Sequence, residues 1–378
     1  MKFRNFLNYI GIKGVNKEGF EDWNFFKNDK TKSIKDKIKS TKKNIVIWGA
    51  SEGGRRVLKF LQEHGIEPDY FVDIDKNKQG KTLDGIRIFS PSKVGTDDLV
   101  VIGSVFQDEI VHYLEKMNVE YIKNIFYILK IDSAIKFNFS ILNNHFSILN
   151  NHLKELIEIF NLFSDKESRV VFSSYLKYIL TTSPLYIRKA KYKQYFHPLV
   201  KPEKNDIIVD GGGFDGDTSC LFLKEEPNIK KIYSFEPDDK NFSKLVENCK
   251  DKKVVPIKMG LWSESDKRLS FNYGLNESCY VVEGGREKKI STISLDNFFK
   301  NKELPNLIKM DIEGSELEAL KGAKEIIRSK KPKLQICLYH DPTHLFKIPL
   351  SLKSKRQDYK FFLGHHTGAT TELILYAI

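Results

Sequence analysis

One apolar strand, the turn that follows it and two downstream acids constrain the fold of this chain more than any other feature. The run Ile207, Ile208, Val209 ends in Asp210 and opens into the glycine-rich stretch GGGFDGDTS, residues 211–219. Such a run predicts a buried parallel strand, with Asp210 at its carboxyl end, where open α/β sheets bind their ligands. Glycines 211, 212, 213 and 216 permit a tight turn and close approach of the backbone, because they carry no Cβ. About 20 residues further on, KIYSF delivers Glu236 and Pro237, placing an acid where a ribose is expected to be held. A third strand, IKM, ends at Asp311. The glycine turn alone is weak evidence, but turn, ribose acid and a further strand-end acid in one sheet specify a nucleotide-cofactor site.

The cofactor follows from charge. A dinucleotide site arranges helix N-terminus and amides around an anionic pyrophosphate. Here Asp210, Asp215 and Asp217 crowd the turn, and three carboxylates would repel a pyrophosphate while suiting a ligand that carries an ammonium and a sulfonium. S-adenosylmethionine is the expected cofactor. Its expected contacts are Asp210, Gly211, Gly212, Gly213, Asp215, Gly216, Asp217, Thr218, Glu236, Pro237, Gly260, Leu261 and Asp311.

Residues 165–378 resemble the FkbM-type methyltransferases, through VDGGGFDGDTS, FEP, STISLDNF, IKMDIEGSELEALKGA, CLYHDPTHLFKIPLSLKS, YKFFLGHH and TELILYAI. The first glycine turn departs mildly from the family pattern, with Gly-Gly-Gly where relatives usually carry Gly-Ala. The resemblance implies a class I methyltransferase sheet, S-adenosylmethionine as methyl donor, and methylation of a hydroxyl, often on a sugar. Seven strands are expected at 206–212, 231–236, 254–259, 307–311, 333–339, 359–364 and 372–378, the last two forming an antiparallel hairpin.

A chain of 378 residues leaves room for more than this one sheet. NIVIWGASEGGRRVLKFLQEHG reads as strand, glycine turn and helix; DYFVDID and DDLVVIGS read as further strands, residues 107–117 as a helix and 120–128 as a strand. The predicted fold class is therefore α/β, with two Rossmann-like units joined by a helical segment. The expected boundaries are a helical extension over 1–43, a Rossmann-like nucleotide- or nucleotide-sugar-binding unit over 44–130, a helical connector over 131–200 and the methyltransferase domain over 201–378. The N-terminal unit is similar to the Rossmann-like domains that precede some sugar-modifying transferases. Its turn, Gly49 to Gly54 with Ser51, Arg55 and Arg56, either cradles a phosphate or serves packing alone. The connector contains FSILNNH twice in succession, at 139–145 and 146–152, which stacks apolar residues at heptad spacing and predicts a packing helix, with a homo-oligomer interface as one use. His145 and His152 then fall on its polar face.

The net charge of +12 raises the question of nucleic acid, but the lysines are spread over every predicted element instead of clustering beside aromatics, so nucleic-acid binding is not expected. Phosphorylated substrates at a membrane surface would benefit from the same charge. Four cysteines without metal-ligand spacing fit a reducing compartment. With no run of ~18 apolar residues and no signal-peptide pattern, the expected location is cytoplasmic, without a transmembrane segment and at most peripheral to the membrane.

Methyl transfer to a hydroxyl needs a base beside the donor methyl. Asp311 and Glu313 share the end of the fourth strand; as carboxylates they serve as base or as ligands of Mg2+ or Mn2+. His340 ends the fifth strand, with His344 four residues on, and His365 and His366 end the sixth. Asp311, His340 and His365 are the expected catalytic residues, with His340 first as base. Glu313, Tyr192, Tyr195, His344 and His366 are the expected acceptor contacts, the tyrosines lying in a segment, 186–200, that the family resemblance places over the cleft and that otherwise reads as an amphipathic docking segment. Lys309 has no assigned role. The expected function is O-methylation of a sugar hydroxyl on a surface glycan or its nucleotide-linked precursor, in polysaccharide biosynthesis. The alternatives are an NAD-dependent nucleotide-sugar oxidoreductase acting through the N-terminal unit, or that unit as a non-catalytic glycan-docking module.

Overall fold

The computed structural model describes residues 15–16, 19–20, 36–104, 107–122, 148–149, 151–181, 186–273, 279–282, 289–368 and 371–378. The chain divides into two compact units. The first comprises Met1–Asn151, Ser173–Ile187 and Gly368–Thr370, and the second His152–Phe172, Arg188–Thr367 and Thr371–Ile378. The expected connector is thus no separate element: 152–172 and 188–200 belong to the second unit. Most of the tandem repeat, including His145, lies outside the described residues. His152 stacks on Phe346 with ring centroids 4.5 Å apart and meets Glu155 through Nδ1 at 3.0 Å.

In the first unit, β1 (Asn44–Trp48), β2 (Tyr70–Val72), β3 (Thr82–Leu83), β4 (Ile86–Phe89), β5 (Asp98–Ile102) and β6 (Glu120–Ile122) form a six-stranded sheet in the order β3-β4-β2-β1-β5-β6. Helices α1 (Glu52–Glu63) and α2 (Gln107–Lys116) complete it. The hairpin β3–β4 has no counterpart in the sequence reading, since its strands are only two and four residues long. Residues 36–40 are helical, but Ile38 is buried in this unit's core, so the end of the expected extension belongs to the unit. The glycines of the first turn have a packing role. A Cβ on Gly54 would meet the Gly49 carbonyl oxygen at 1.9 Å, and one on Gly103 would meet the Gly54 Cα at 2.8 Å. Arg55 and Arg56 pair with Asp84 and Glu52, and Asp73 accepts from the Ala50 amide at 2.8 Å.

In the second unit, seven strands follow in the order β9-β8-β7-β14-β15-β17-β16. These are β7 (Ile207–Gly211), β8 (Lys231–Phe235), β9 (Val254–Ile257), β14 (Leu307–Met310), β15 (Lys333–Cys337), β16 (Phe361–His365) and β17 (Leu373–Ala377). All seven expected strands form, and β17 runs antiparallel to both β15 and β16. The central strands are apolar and buried on both faces, as parallel strands covered by helices must be. Helices α5 (Asp217–Glu225), α6 (Asp239–Asn248), α8 (Glu316–Lys321), α9 (Lys324–Lys330) and α10 (His344–Lys355) belong to this unit, as do α3 (Leu153–Leu162), the short α7 (Leu295–Phe298) and the first turns of α4 (Lys166–Thr181). A small four-stranded sheet of β10 (Gly260–Leu261), β11 (Arg268–Tyr273), β12 (Cys279–Val282) and β13 (Lys289–Ile293) is inserted before β14, in the order β10-β13-β11-β12. Among the described residues no helix is long and apolar enough to cross a membrane.

At the centre of the large sheet sits a buried ion pair. Lys309 on β14 faces Asp210 on β7 in register, and its Nζ lies 2.9 Å from Oδ1 with the two side chains 2% and 0% exposed. Nζ also meets the carbonyls of Gly211 and Gly212, while Oδ2 of Asp210 accepts from Ser219 and Ser234. Breaking such a pair from one side leaves an uncompensated charge, which costs about 3–5 kcal/mol. Lys309→Met is therefore expected to lower the free energy of unfolding by about that much in urea titrations, with Asp210→Asn/Lys309→Met recovering a good part of it. A single-variant loss below about 1 kcal/mol would show that the pair is not holding the sheet.

Candidate active site

The turn after β7 owes its shape to crowding. A Cβ on Gly212, where φ is +76°, would meet the Asp311 carbonyl oxygen at 1.8 Å, and one on Gly213 would meet Ser234 Oγ at 2.3 Å. The glycines therefore let the turn press against the ends of β14 and β8, leaving a cleft of about 780 Å³ at the carboxyl edge of the sheet. Gly212, Phe214, Asp217, Thr218, Glu236, Pro237, Gly260, Leu261 and Asp311 line it, whereas Asp210, Gly211, Gly213, Asp215 and Gly216 support the turn without lining it. For Asp210 this corrects the expected cofactor contact: its carboxylate is consumed by Lys309, Ser219 and Ser234. The acidic character of the cleft comes instead from Asp217, Glu236, Asp311, Glu313 and Glu372.

Glu236 sits just beyond β8, where it is buried and accepts the Phe214 amide on Oε2 and the Asp238 amide on Oε1, both at 2.9 Å. Burial pushes its carboxyl up to about 7, against the opposing pull of those two amides. Gln335 ties the segment before β7 across the cleft by donating to the carbonyls of Tyr195 and Val200, at 2.7 and 2.9 Å. Tyr195, held at φ +65°, then donates its hydroxyl to Asp311 at 3.2 Å. Tyr192, by contrast, packs edge-on against His197, His366 and Tyr376 and lines no part of the cleft.

Around Asp311 the acids and one histidine converge. Tyr339 donates to Asp311 Oδ1 at 2.9 Å and lies 3.4 Å from Glu372 Oε1. His340 directs Nδ1 to Glu316 Oε1 at 2.8 Å, and its Nε2 lies 3.4 Å from both Asp311 Oδ1 and Glu313 Oε2. Burial lowers the basicity of this imidazole, but Glu316, Asp311 and Glu313 outweigh burial and carry it up to about 9. His340 is thus held as an imidazolium at neutral pH, which overturns its expected role as the acceptor's base. Glu316, flanked by His340 and His344, stays ionised despite complete burial, at about 2. Among the described residues, Asp311 with Glu316 and His340, and Asp311 with Cys337 and Glu372, bring ligand atoms within 4.8 Å of one another, the spacing a metal needs.

The remaining expected histidines stand away from the cleft. His365 is buried, with Nε2 at 3.1 Å from the Thr371 carbonyl, and two strands separate β16 from β14. His366 meets the Tyr376 hydroxyl at 2.9 Å, and His344 is buried beside Glu316. Glu372 is, with Tyr339 and Met259, among the cleft residues that sequence reasoning passed over. Reading only carboxyl ends of strands misses it, because β17 is antiparallel and brings its first residues to the same edge. Burial first, then the Asp311 carboxylate, raises Glu372 to about 7.

Glu236→Ala is expected to weaken binding of S-adenosylhomocysteine at least about tenfold in calorimetry, through loss of charge-assisted hydrogen bonds of about 1.5–3 kcal/mol. Unchanged affinity would place the ribose elsewhere. The raised carboxyl also predicts a pH dependence. Above about pH 7 Glu236 is an anion with lone pairs to offer, and as pH falls through 7 protonation removes that acceptor, so affinity should drop by up to about tenfold between pH 8 and pH 6. Glu236→Gln should flatten this dependence.

Residues 209–361 match the model of the methyltransferase FkbM domain, and residues 41–125 match that of the C2185-like N-terminal domain. Over 142 residues the chain is 31% identical to the hexuronic acid methyltransferase AglP of Haloferax volcanii, covering 35% of this chain and 55% of that protein. The chain thus spans about half the length of this curated relative. The crystal structure of the methyltransferase FkbM of Methylobacillus flagellatus KT is similar over 98% of this chain and 97% of that one, with a TM-score of 0.55 and 19% identity, which is a likeness of fold. With its sheet in the order of a class I methyltransferase, the second unit of the chain carries, over residues 209–361, a methyltransferase FkbM domain.

Proposed function

We propose that the chain is an S-adenosylmethionine-dependent O-methyltransferase that acts on a sugar hydroxyl, with a hexuronic acid unit of a glycan or of its nucleotide-linked precursor as the acceptor class. The observation that carries this reading is the pairing, in one acidic cleft, of a buried strand-end acid suited to a ribose, Glu236, with a buried carboxyl near neutrality, Glu372. The hexuronic acid methyltransferase relative supports the acceptor class.

The residues fit the donor. Met259 and Leu261 wall the cleft beside Glu236 with apolar surface suited to a purine, and the surplus of carboxylates suits a cationic ligand while opposing a pyrophosphate. When bound, S-adenosylmethionine supplies a methyl group on a positively charged sulfur. Glu236 accepts hydrogen bonds from the ribose hydroxyls. Asp311, with both oxygens engaged by the hydroxyls of Tyr195 and Tyr339, holds the acceptor hydroxyl in line; such alignment is worth about 7–11 kcal/mol of barrier. Glu372 takes the proton on Oε1. General-base assistance of this kind contributes about 10² to 10⁴ in rate, most effectively when the base titrates near the working pH. The imidazolium of His340 helps to keep the buried Glu316 carboxylate ionised.

The test compares turnover with donor binding, using S-adenosylmethionine and hexuronic acid-containing saccharides. Glu372→Gln is expected to lower kcat about 10²-fold or more, and Asp311→Asn to do likewise, while the affinity for S-adenosylhomocysteine stays within about twofold. Turnover of Glu372→Gln near the wild-type rate would remove Glu372 as base.

A further inference from the structure

The glycine turn of the cleft is braced from behind by the end of α6. Asn248 donates its side-chain amide to the Asp215 carbonyl at 2.8 Å, and the Cys249 thiol donates to the Gly216 carbonyl at 3.4 Å. That same carbonyl accepts the backbone amide of Cys220 at 2.9 Å, at the start of α5. Cys220 and Cys249 thus meet behind the turn, their Sγ atoms 2.9 Å apart although the residues stand 29 positions apart in the chain. The fit is close, since a Cβ on Gly216 would meet Cys249 Sγ at 2.4 Å. The two thiols are unequally placed. Cys249 is buried and Cys220 is partly exposed. Burial first, then the contact with Cys220, pushes the Cys249 thiol well above its ordinary range. Neither side chain lines the cleft, so the proposed methyl transfer makes no use of the pair.

We propose that Cys220 and Cys249 are a thiol–disulfide exchange site, which reacts with small disulfides of the glutathione class and closes to an internal disulfide behind the turn. Cys220 reacts first, because exchange begins with a thiolate that can reach the incoming sulfur. Its thiolate attacks one sulfur of the small disulfide, forms a mixed disulfide and expels one small thiolate. The Cys249 sulfur, already in contact, then loses its proton to solvent, attacks Cys220 Sγ and expels the second. Two protein thiols are oxidised, and one small disulfide is reduced to two thiols. A disulfide holds its sulfurs about 2.05 Å apart, so closure asks for a shift of less than about 1 Å. It also removes the thiol proton that Cys249 gives to the Gly216 carbonyl and draws the first turn of α5 toward the end of α6. Asp217 and Thr218 ride on that turn and line the cleft, so oxidation weakens donor binding. This consequence rests on the proposed methyl donor; the exchange site does not.

The test incubates the full chain with glutathione disulfide, blocks the remaining thiols by alkylation and maps tryptic peptides by mass. Cys220 falls in peptide 205–224 and Cys249 in peptide 245–250. The two are expected to appear joined and to separate on reduction with dithiothreitol, whereas Cys249→Ser should instead hold one glutathione on 205–224. A wild-type chain in which Cys220 keeps its glutathione, or in which both peptides are recovered alkylated, would overturn the site. Calorimetry with S-adenosylhomocysteine on the same samples reads the coupling: affinity is expected to fall at least about threefold on oxidation, the loss of part of one hydrogen bond, and to return on reduction. Equal affinity of the two forms would overturn the coupling. A reduced chain that binds no S-adenosylhomocysteine yet still forms the cross-link would sink the methyl-transfer reading alone.

Discussion

The second unit is organised around a lysine whose role its local sequence leaves open. Lys309 lies in the middle of a buried sheet, where its charge is tolerable only because Asp210 stands opposite it on the neighbouring strand. From that pair the rest follows by hydrogen bonds. Asp210 gathers Ser219 from α5 and Ser234 from β8, and Lys309 gathers the first two carbonyls of the glycine turn. Burial works against the ammonium, yet Asp210 and Asp311 together keep it protonated. The turn is thereby fixed to β14, and Asp311, two residues after Lys309, inherits a defined place at the mouth of the cleft.

Strain gathers at the same mouth. Tyr195, Phe214, Glu313 and Glu372 all have positive φ without being glycine, and all four line the cleft. Such backbone is costly, of order 1–3 kcal/mol per residue, and persists only where the surroundings enforce it. Here the surroundings are the crowded turn, the segment anchored by Gln335, and a carboxylate cluster balanced by His340. A chain that is basic as a whole thus concentrates acid in its cleft.

Most of the large sheet was legible because each strand is a short apolar run bounded by turn residues, and buried parallel strands leave that mark plainly. The insertion of β10 to β13 was not, as its strands are short and mixed in polarity. Glu236 was legible from its spacing to the glycine turn. The role of Asp210 was misread because its neutralising partner lies 99 residues away along the chain, a separation no local pattern spans. His340 was found by its place at a strand end, but its charge depends on Glu316, which local spacing reads as a helix residue. Glu372 escaped because an antiparallel strand reverses which of its ends reaches the site.

The account stands on the claim that the acidic cleft was built for the nucleoside methyl donor and its demethylated product and against a dinucleotide. Thermal unfolding of the full chain with S-adenosylhomocysteine or with NAD tests it most directly, since a ligand that binds the folded state raises the melting temperature by mass action. A concentration-dependent rise with S-adenosylhomocysteine, lost in Glu236→Ala, and none with NAD is the predicted result. A rise with NAD that Glu236→Ala abolishes, with S-adenosylhomocysteine inert, would contradict it.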